Sequence, residues 1–185
     1  MERLNPARSV LMIVDVQERL ASAMPPHAME LLVKNTELLL EAAKLLGVRV
    51  IASEQYPKGL GPTVAPLLTR LTAMSAAPTH KLTFDACAES RISKMLADVD
   101  PRAVVVVGME THVCVFQTAR ELVRRGISTY VVADAVASRR EEHRQMGLAL
   151  AERAGAIPTV AEAVVFDWLE KAGTEPFKAL SKLMR

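Results

Sequence analysis

Three features of the sequence predict an α/β fold, with a doubly wound, mostly parallel sheet that carries helices on both faces. Segments that are apolar on both faces recur along the chain, as expected of central parallel strands. Segments with apolar residues at helical spacing lie between them, and no internal repeat or linker interrupts this alternation. With 185 residues, the whole chain, 1–185, is expected to form one domain.

The first strand is predicted over residues 9–15 and ends at an acid, Asp15. Residues 53–66 are rich in proline and glycine, so they are predicted to form a long loop and not one regular element. Further strands are predicted at residues 48–52, 82–84 (a short extended piece), 103–107, 128–132 and 156–158. Helices are predicted at residues 31–46, 87–98, 111–125, 141–154 and 159–169, and weakly at 174–185.

Polar residues with a capacity for chemistry follow three of these strands. They are Asp15, the turn over residues 108–114, and Asp134. In doubly wound sheets, ligands bind beyond the carboxyl ends of the strands. A functional site is therefore expected at this edge, although Asp134 has the alternative role of capping a loop.

Composition and charge exclude several classes of protein. The 23 basic and 21 acidic residues give a net charge of +2, and no basic run exceeds two residues, so no nucleic-acid partner is expected. No apolar run reaches the ~18 residues that a membrane span needs, and the first six residues are too few and too polar for a signal peptide. A cytoplasmic protein without membrane contact is predicted.

The two cysteines are too few for a disulfide framework and lack the spacing of a structural zinc site. Cys114 lies just inside the first turn of a helix that follows a buried strand. Free N–H groups there are expected to lower the pKa of the thiol from about 8.5 toward neutrality and to hold an oxyanion. Position alone is equally compatible with a buried structural cysteine, which is the interpretation given to Cys87.

Three sequence segments, in order along the chain, favour a catalytic role for Cys114 over a structural one. An Asp-x-Gln element occurs at residues 15–17, a Lys ahead of an aromatic residue at 81–86, and a Gly-x-x-Thr-x-x-Cys-Val turn at 108–115. In these segments the chain resembles the isochorismatase-like cysteine hydrolases, over roughly residues 10–163. Each motif alone is unspecific, but together they predict the isochorismatase-like hydrolase fold and its catalytic apparatus.

The resemblance implies a role for each matching residue. Cys114 would be the nucleophile, Asp15 the general base and later the acid, and Lys81 the cation that holds both anions. The backbone N–H groups of Glu110 and Cys114 would form the oxyanion hole, and the peptide bond between Met109 and Glu110 would be cis. The implied reaction is hydrolysis of a small amide, carbamoyl or related C–N bond through a thioester.

Nicotinamidase-like relatives in this resemblance carry an Asp-x-His metal element after the second strand. Here residues 53–61 contain Glu54 but no histidine, so no metal and no cofactor are expected. The sequence of this segment resembles that of the metal-free branch of the family, which includes the isochorismatase domain-containing proteins. The histidines at 27, 80 and 143 show no common spacing along the sequence and are interpreted as ordinary surface or loop residues. The candidates for contact with a small-molecule substrate are Gln17, Gln55, Tyr56, Phe84 and His112.

Two alternatives remain on the same fold. One is vinyl ether cleavage of the isochorismatase type, which by resemblance needs the acid and no thiol, and the other is a non-catalytic binding or scaffold protein. The resemblance also implies a homo-oligomer. The tail over residues 174–185 is expected to pack on a neighbouring subunit or to fold back on its own core through its apolar residues Phe177, Leu180, Leu183 and Met184.

Overall fold

The computed structural model describes residues 3–184, so the last residue of the predicted tail lies outside the described part of the chain. A six-stranded sheet forms the centre, with the strand order β3-β2-β1-β4-β5-β6 and all neighbours parallel. The predicted doubly wound sheet is therefore confirmed. Its strands are β1 (Ser9–Val14), β2 (Arg49–Gln55), β3 (Thr79–Lys81), β4 (Ala103–Met109), β5 (Ser128–Ala137) and β6 (Ile157–Thr159).

The order of the strands creates a crevice beside β1. The chain first moves outward from β1 through β2 to β3, and then returns to place β4 on the opposite side of β1. The connections at the ends of β1 and β4 therefore leave in opposite directions, which is the topological switch point where such sheets bind ligands. Val14 pairs with Gly108 there, and Gly108 has a φ of 124°. A Cβ at Gly108 would collide with the carbonyl oxygen of Val14.

Helices cover both faces because alternate residues of β1 and β4 point in opposite directions. Leu11 and Val105 join the core under α2, α8 and α9, whereas Met12 and Val106 join the core under α5 and α6. None of the helices within residues 3–184 has the length and apolar character needed to cross a bilayer. The helices are α1 (Glu18–Ala21), α2 (Pro26–Leu46), α3 (Pro57–Leu60), α4 (Ala65–Ala73), α5 (Ser90–Val99), α6 (Phe116–Arg124), α7 (Glu141–Arg153), α8 (Ala161–Leu169) and α9 (Glu175–Leu183).

The region predicted as a long loop is more ordered than its sequence suggests. Strand β2 continues to Gln55, and the short helix α3 and the start of α4 occupy most of the remainder. Strand β3 lies at 79–81, three residues before the predicted extended piece. The sequence does not indicate these strand ends because the last residues of β2 and β3 are polar. In the folded chain these polar side chains are buried and form hydrogen bonds with residues of other strands.

Two boundaries near β5 and β6 also differ from the prediction. Strand β5 runs to Ala137, with a shift in its register against β4 between Val106 and Gly108. Asp134 thus lies inside the strand, and its carboxylate accepts a hydrogen bond from the N–H of Ala161 at 2.9 Å. It caps α8, which begins two residues later than predicted, because Thr159 still belongs to β6.

The C-terminal helix α9 folds back on the core of its own chain. Leu180 is fully buried, and the rings of Phe177 and Phe166 lie 6.4 Å apart. Leu183 stays about half exposed. This packing matches the second alternative for the tail, and contact with another subunit stays a prediction.

A π-helical turn over Thr111–Val115 joins β4 to α6, where the sequence predicts regular helix. Helix α7 packs on this turn so closely that a Cβ at Gly147 would lie 2.6 Å from the backbone nitrogen of His112. A glycine inside a helix costs about 1 kcal/mol relative to alanine, so close approach explains its presence here.

Gly147→Ala is therefore expected to lower the free energy of unfolding by about 1–3 kcal/mol, because overpacking outweighs the gain in helix propensity. Chemical denaturation measures this change. The matched control is Met146→Ala on the same helix, whose exposed side chain should leave stability within about 0.5 kcal/mol. A Gly147→Ala protein more stable than the wild type would contradict the described packing of α7 on the turn.

Candidate active site

Asp15 follows β1 directly and occupies the switch-point crevice. Its φ of 52° lies in the left-handed region, which aspartate tolerates better than most residues. The carboxylate is held at both oxygens. Oδ1 accepts a hydrogen bond from Ser53 Oγ at 2.7 Å, and Oδ2 accepts one from Lys81 Nζ at 2.7 Å.

Lys81 is the last residue of β3, and its ammonium is completely enclosed. Besides Asp15, Nζ donates to Gln55 Oε1 at 2.7 Å and to the carbonyl oxygen of Thr83 at 3.0 Å. The side chains of Lys81 and Asp15 are both 0% exposed. A buried ion pair is tolerated only when nearly every donor and acceptor has a partner, and this pair meets that condition.

Strand β2 lies between β1 and β3 and bridges their two charges. Ser53 and Gln55 are two residues apart, so their side chains share one face of the sheet. Ser53 binds the carboxylate and Gln55 binds the ammonium. Sequence reasoning missed Ser53 and assigned Gln55 to substrate binding, but the amide of Gln55 is occupied by Lys81 and by the carbonyl of Leu82. Polar residues at alternate positions of a buried strand were the available signal.

Cys114 lies in the π turn, beside the ion pair. Its thiol lies close enough to Asp15 and Lys81 for both groups to shift its pKa, and the residue is 5% exposed. Burial, followed by the negative charge of Asp15, raises the pKa of Cys114 to about 12, while Lys81 acts in the opposite direction. This direction is opposite to the expected lowering of the thiol pKa, because desolvation and a neighbouring carboxylate both disfavour the thiolate.

The turn between β4 and the thiol begins at Glu110. The peptide bond between Met109 and Glu110 is cis, as the resemblance implied. The carbonyl oxygen of Glu110 accepts from the N–H groups of Val113 and Val115, whereas no acceptor for its own N–H occurs within residues 3–184. This N–H is thus free to bind an oxyanion.

The predicted substrate contacts divide into buried and exposed residues. Gln17 is fully buried, and its amide binds the backbone of Gln55 and the carbonyl of Gly61, so it fastens a loop, and its contact with substrate stays a prediction. Tyr56 and Phe84 are 52% and 53% exposed. They lie near Lys81, since the N–H of Tyr56 donates to the Lys81 carbonyl and the Phe84 carbonyl accepts from Lys81 Nζ.

His112 lies on the other side of the turn and has two neighbours. Its Nδ1 is 3.1 Å from Ser138 Oγ, and its ring centroid is 4.7 Å from that of His143. Burial and the positive charge of Arg139 help to hold the pKa of His112 below its usual value, although Glu110 raises it. His143 is exposed, in agreement with its interpretation as a surface histidine, and the docking of α7 brings its ring against that of His112.

The acid at the position of the nicotinamidase-like metal element is bound to protein groups. Glu54 Oε1 accepts from the N–H and the hydroxyl of Thr63 at 2.7 and 2.8 Å, and Oε2 lies 3.3 Å from His80 Nε2. The His80 side chain is 68% exposed, in agreement with its interpretation as a surface or loop residue. Among the described residues, no group of three or more acidic, histidine or cysteine side chains is arranged to hold a metal. The absence of a metal stays a prediction.

Cys87 packs in the core formed with α5 and α6 and is 1% exposed. Burial, followed by the charge of Asp85, raises its pKa to about 12. The charge of Glu121 also raises this pKa, whereas the charge of Arg125 lowers it. The structure therefore agrees with its interpretation as a packing residue.

Comparison with known proteins places this geometry in a family. The model of the isochorismatase domain matches residues 9–163. Isochorismatase domain-containing protein 2 of Danio rerio is 34% identical over 182 residues, which cover 98% of this chain and 89% of that protein. The structure of the MAR1 ribonuclease of Caenorhabditis elegans has a TM-score of 0.87 and 34% identity, covering 99% of this chain and 92% of that one.

A more distant structure shares the fold. The YcaC gene product of Escherichia coli, described as an octameric hydrolase of unknown specificity, has a TM-score of 0.88 at 21% identity and covers 98% of this chain and 90% of that one. At this identity the likeness concerns the fold alone. The domain match and the 34% identical relatives extend over nearly the whole chain. This chain therefore belongs to the isochorismatase family, whose members are generally hydrolases.

Proposed function

We propose that this protein is a cysteine hydrolase that cleaves a C–N bond in a small amide, carbamoyl or related substrate. The observation that carries the proposal is the location of the Cys114 thiol beside the enclosed pair of Asp15 and Lys81 at the switch point of the sheet. A thiol, a general base and a cation within one small volume are the groups that nucleophilic catalysis at a carbonyl requires.

The first half of the reaction forms a thioester. Asp15 accepts the proton of the Cys114 thiol as sulfur attacks the carbonyl carbon, and the resulting oxyanion binds the N–H groups of Glu110 and Cys114. Lys81 balances the negative charge that passes between sulfur and carboxylate. When the tetrahedral intermediate collapses, the C–N bond breaks and Asp15 returns the proton to the departing nitrogen.

The second half releases the acid product. Asp15 removes a proton from water as the water oxygen attacks the thioester carbon, and the C–S bond then breaks. The sulfur recovers its proton from Asp15. A resting thiol with a raised pKa fits this sequence, because the proton is removed only when the thiol attacks.

Large exposed side chains near the site favour a substrate with an apolar part. Tyr56, Leu82 and Phe84 are large, and each is at least half exposed. All three belong to segments that contact Lys81 through the backbone. Gln17 and Gln55, in contrast, have their amides occupied by protein groups.

Ribonuclease activity is a second candidate, because the C. elegans relative is described as a ribonuclease and aligns with nearly the whole of this chain. A net charge of +2 with basic runs of at most two residues does not favour a polyanionic substrate. RNA is therefore included as a separate arm of the test. Self-association also remains a proposal, supported by the octameric description of the E. coli protein, and a cytoplasmic location stays a prediction.

Cys114→Ala and Asp15→Asn are each expected to lower the rate of ammonia release from the hydrolysed amide by at least about 10³-fold, because each removes a member of the catalytic unit. The assay compares acetamide, butyramide, benzamide and N-carbamoylglycine, and Cys87→Ala serves as the matched control with full activity. Full activity of Cys114→Ala would exclude the thioester route. Cleavage of RNA with no turnover of these compounds would favour the second candidate.

Asp15→Asn is also expected to accelerate alkylation of Cys114 by iodoacetamide at pH 8. The carboxylate of Asp15 raises the thiol pKa, whereas the charge of Lys81 lowers it, so the pKa of Cys114 should fall when the carboxylate is removed. Each unit by which the pKa falls increases the thiolate fraction about tenfold. Peptide mass spectrometry separates Cys114 from Cys87, whose alkylation rate should not change. Unchanged alkylation of Cys114 would show that Asp15 does not control its proton.

A further inference from the structure

We infer that Glu110 is a positioning residue, whose carboxylate fastens the turn that carries the oxyanion donors and Cys114 to the segment that follows β5. This inference rests on the proposed function. It concerns the side chain of Glu110, whereas the role proposed above concerns only its backbone N–H.

The carboxylate makes two hydrogen bonds through a single oxygen. Glu110 Oε2 accepts from the backbone N–H of Arg139 at 3.1 Å and from its Nε at 3.1 Å. The Glu110 side chain is 8% exposed, whereas that of Arg139 is 59% exposed. A pair of mobile surface charges contributes little, but here a buried carboxylate binds a main-chain group that has a fixed position.

The ionised state of Glu110 agrees with this function. Burial raises the pKa of Glu110, but the hydrogen bonds and charge of Arg139, with the charge of His112, hold it below the usual value. The negative charge is therefore retained at neutral pH. Both bonds from Arg139 consequently have a charged acceptor, which makes them stronger than bonds between neutral groups.

Further contacts hold the same turn in parallel with Glu110. His112 Nδ1 lies 3.1 Å from Ser138 Oγ, so residues 110 and 112 of the turn are joined to residues 139 and 138 after β5. His143 of α7 packs against the ring of His112, and Gly147 of α7 lies against its backbone. The turn is therefore fixed from β5 and from α7. Among the side chains of residues 3–184, that of Glu110 joins this support directly to a residue whose N–H is a proposed oxyanion donor.

Oxyanion donors act only when they point to the position where the charge develops, and a misplacement of about 1 Å can cost roughly 100-fold in rate. Loss of the Glu110 carboxylate would release the turn at the residue whose N–H is the donor. The expected defect therefore concerns stabilisation of the oxyanion, and neither substrate binding nor thiol reactivity.

The test compares Glu110→Ala, Glu110→Gln and Arg139→Ala with the wild type. Glu121→Ala is the matched control, because Glu121 binds Nε of Arg124 and Arg125 on α6 in a similar way but lies outside the site. Three quantities are measured: kcat and KM for the hydrolysed amide, inhibition by the aldehyde in which hydrogen replaces the amide nitrogen, and alkylation of Cys114 by iodoacetamide. When the sulfur of Cys114 adds to the aldehyde carbon, the C=O π bond opens and Asp15 accepts the thiol proton, so the hemithioacetal oxygen lies at the oxyanion donors. Alkylation, in contrast, forms a C–S bond as iodide leaves and forms no oxyanion.

Glu110→Ala is expected to lower kcat by about 10- to 100-fold and to weaken aldehyde inhibition by a similar factor, with KM and the alkylation rate unchanged. Glu110→Gln keeps an acceptor for Arg139 and should recover most of the activity. Arg139→Ala keeps the backbone N–H bond and should be intermediate, which preserves the test if Glu110→Ala does not fold. Glu121→Ala should equal the wild type.

Two failures can be distinguished. If the wild type hydrolyses the amide and is inhibited by the aldehyde, but the Glu110 and Arg139 variants match it, the positioning role is overturned and the proposed function stands. Equal losses in aldehyde inhibition and in alkylation would also overturn it, because they would indicate general damage to the site. If the wild type neither hydrolyses amides nor binds the aldehyde, the positioning role of Glu110 and the proposed function are both overturned.

Discussion

The ion pair between Asp15 and Lys81 is the interaction on which the rest of the site depends. Its two charges lie 2.7 Å apart without solvent contact, and each has further partners from β2 and from the segment after β3. Such pairs contribute little to stability, because desolvation offsets most of their attraction. We therefore attribute its presence to the thiol of Cys114, which lies beside the pair and whose pKa both charges shift.

The topology explains how three distant segments supply these groups. Asp15 and the turn with Cys114 follow β1 and β4, the two strands that flank the switch point, and Lys81 ends β3 at the far edge. Ser53 and Gln55 of β2 span the distance between carboxylate and ammonium. The tight approach of Gly108 to β1 and of Gly147 to the turn keeps the sulfur beside the pair. Loss of close packing at either glycine would separate the members of the site.

Much of this arrangement could be predicted from the sequence, since the apolar runs of β1 and β4 and the motifs at Asp15, Lys81 and Cys114 are local signals. The end of β2 differs from the prediction because the prolines and glycines that indicate a loop begin only at Pro57, and the buried polar residues before them have distant partners. Ser53 and Asp15, for example, are 38 residues apart. The contact of His143 with His112 depends on how α7 docks, which no local pattern specifies. The raised direction of the thiol pKa could not be predicted, because burial, unlike helix position, is a property of the whole fold.

The most direct test of the central claim is a double-mutant cycle with Asp15→Asn and Lys81→Met, in which the free energy of unfolding is measured beside amide turnover. Removal of one partner leaves a buried charge alone and should cost about 3–5 kcal/mol, whereas the double replacement should regain most of that stability. All three variants should be inactive. A double variant that hydrolyses the amide at the wild-type rate would contradict the claim that the pair exists for the chemistry of Cys114.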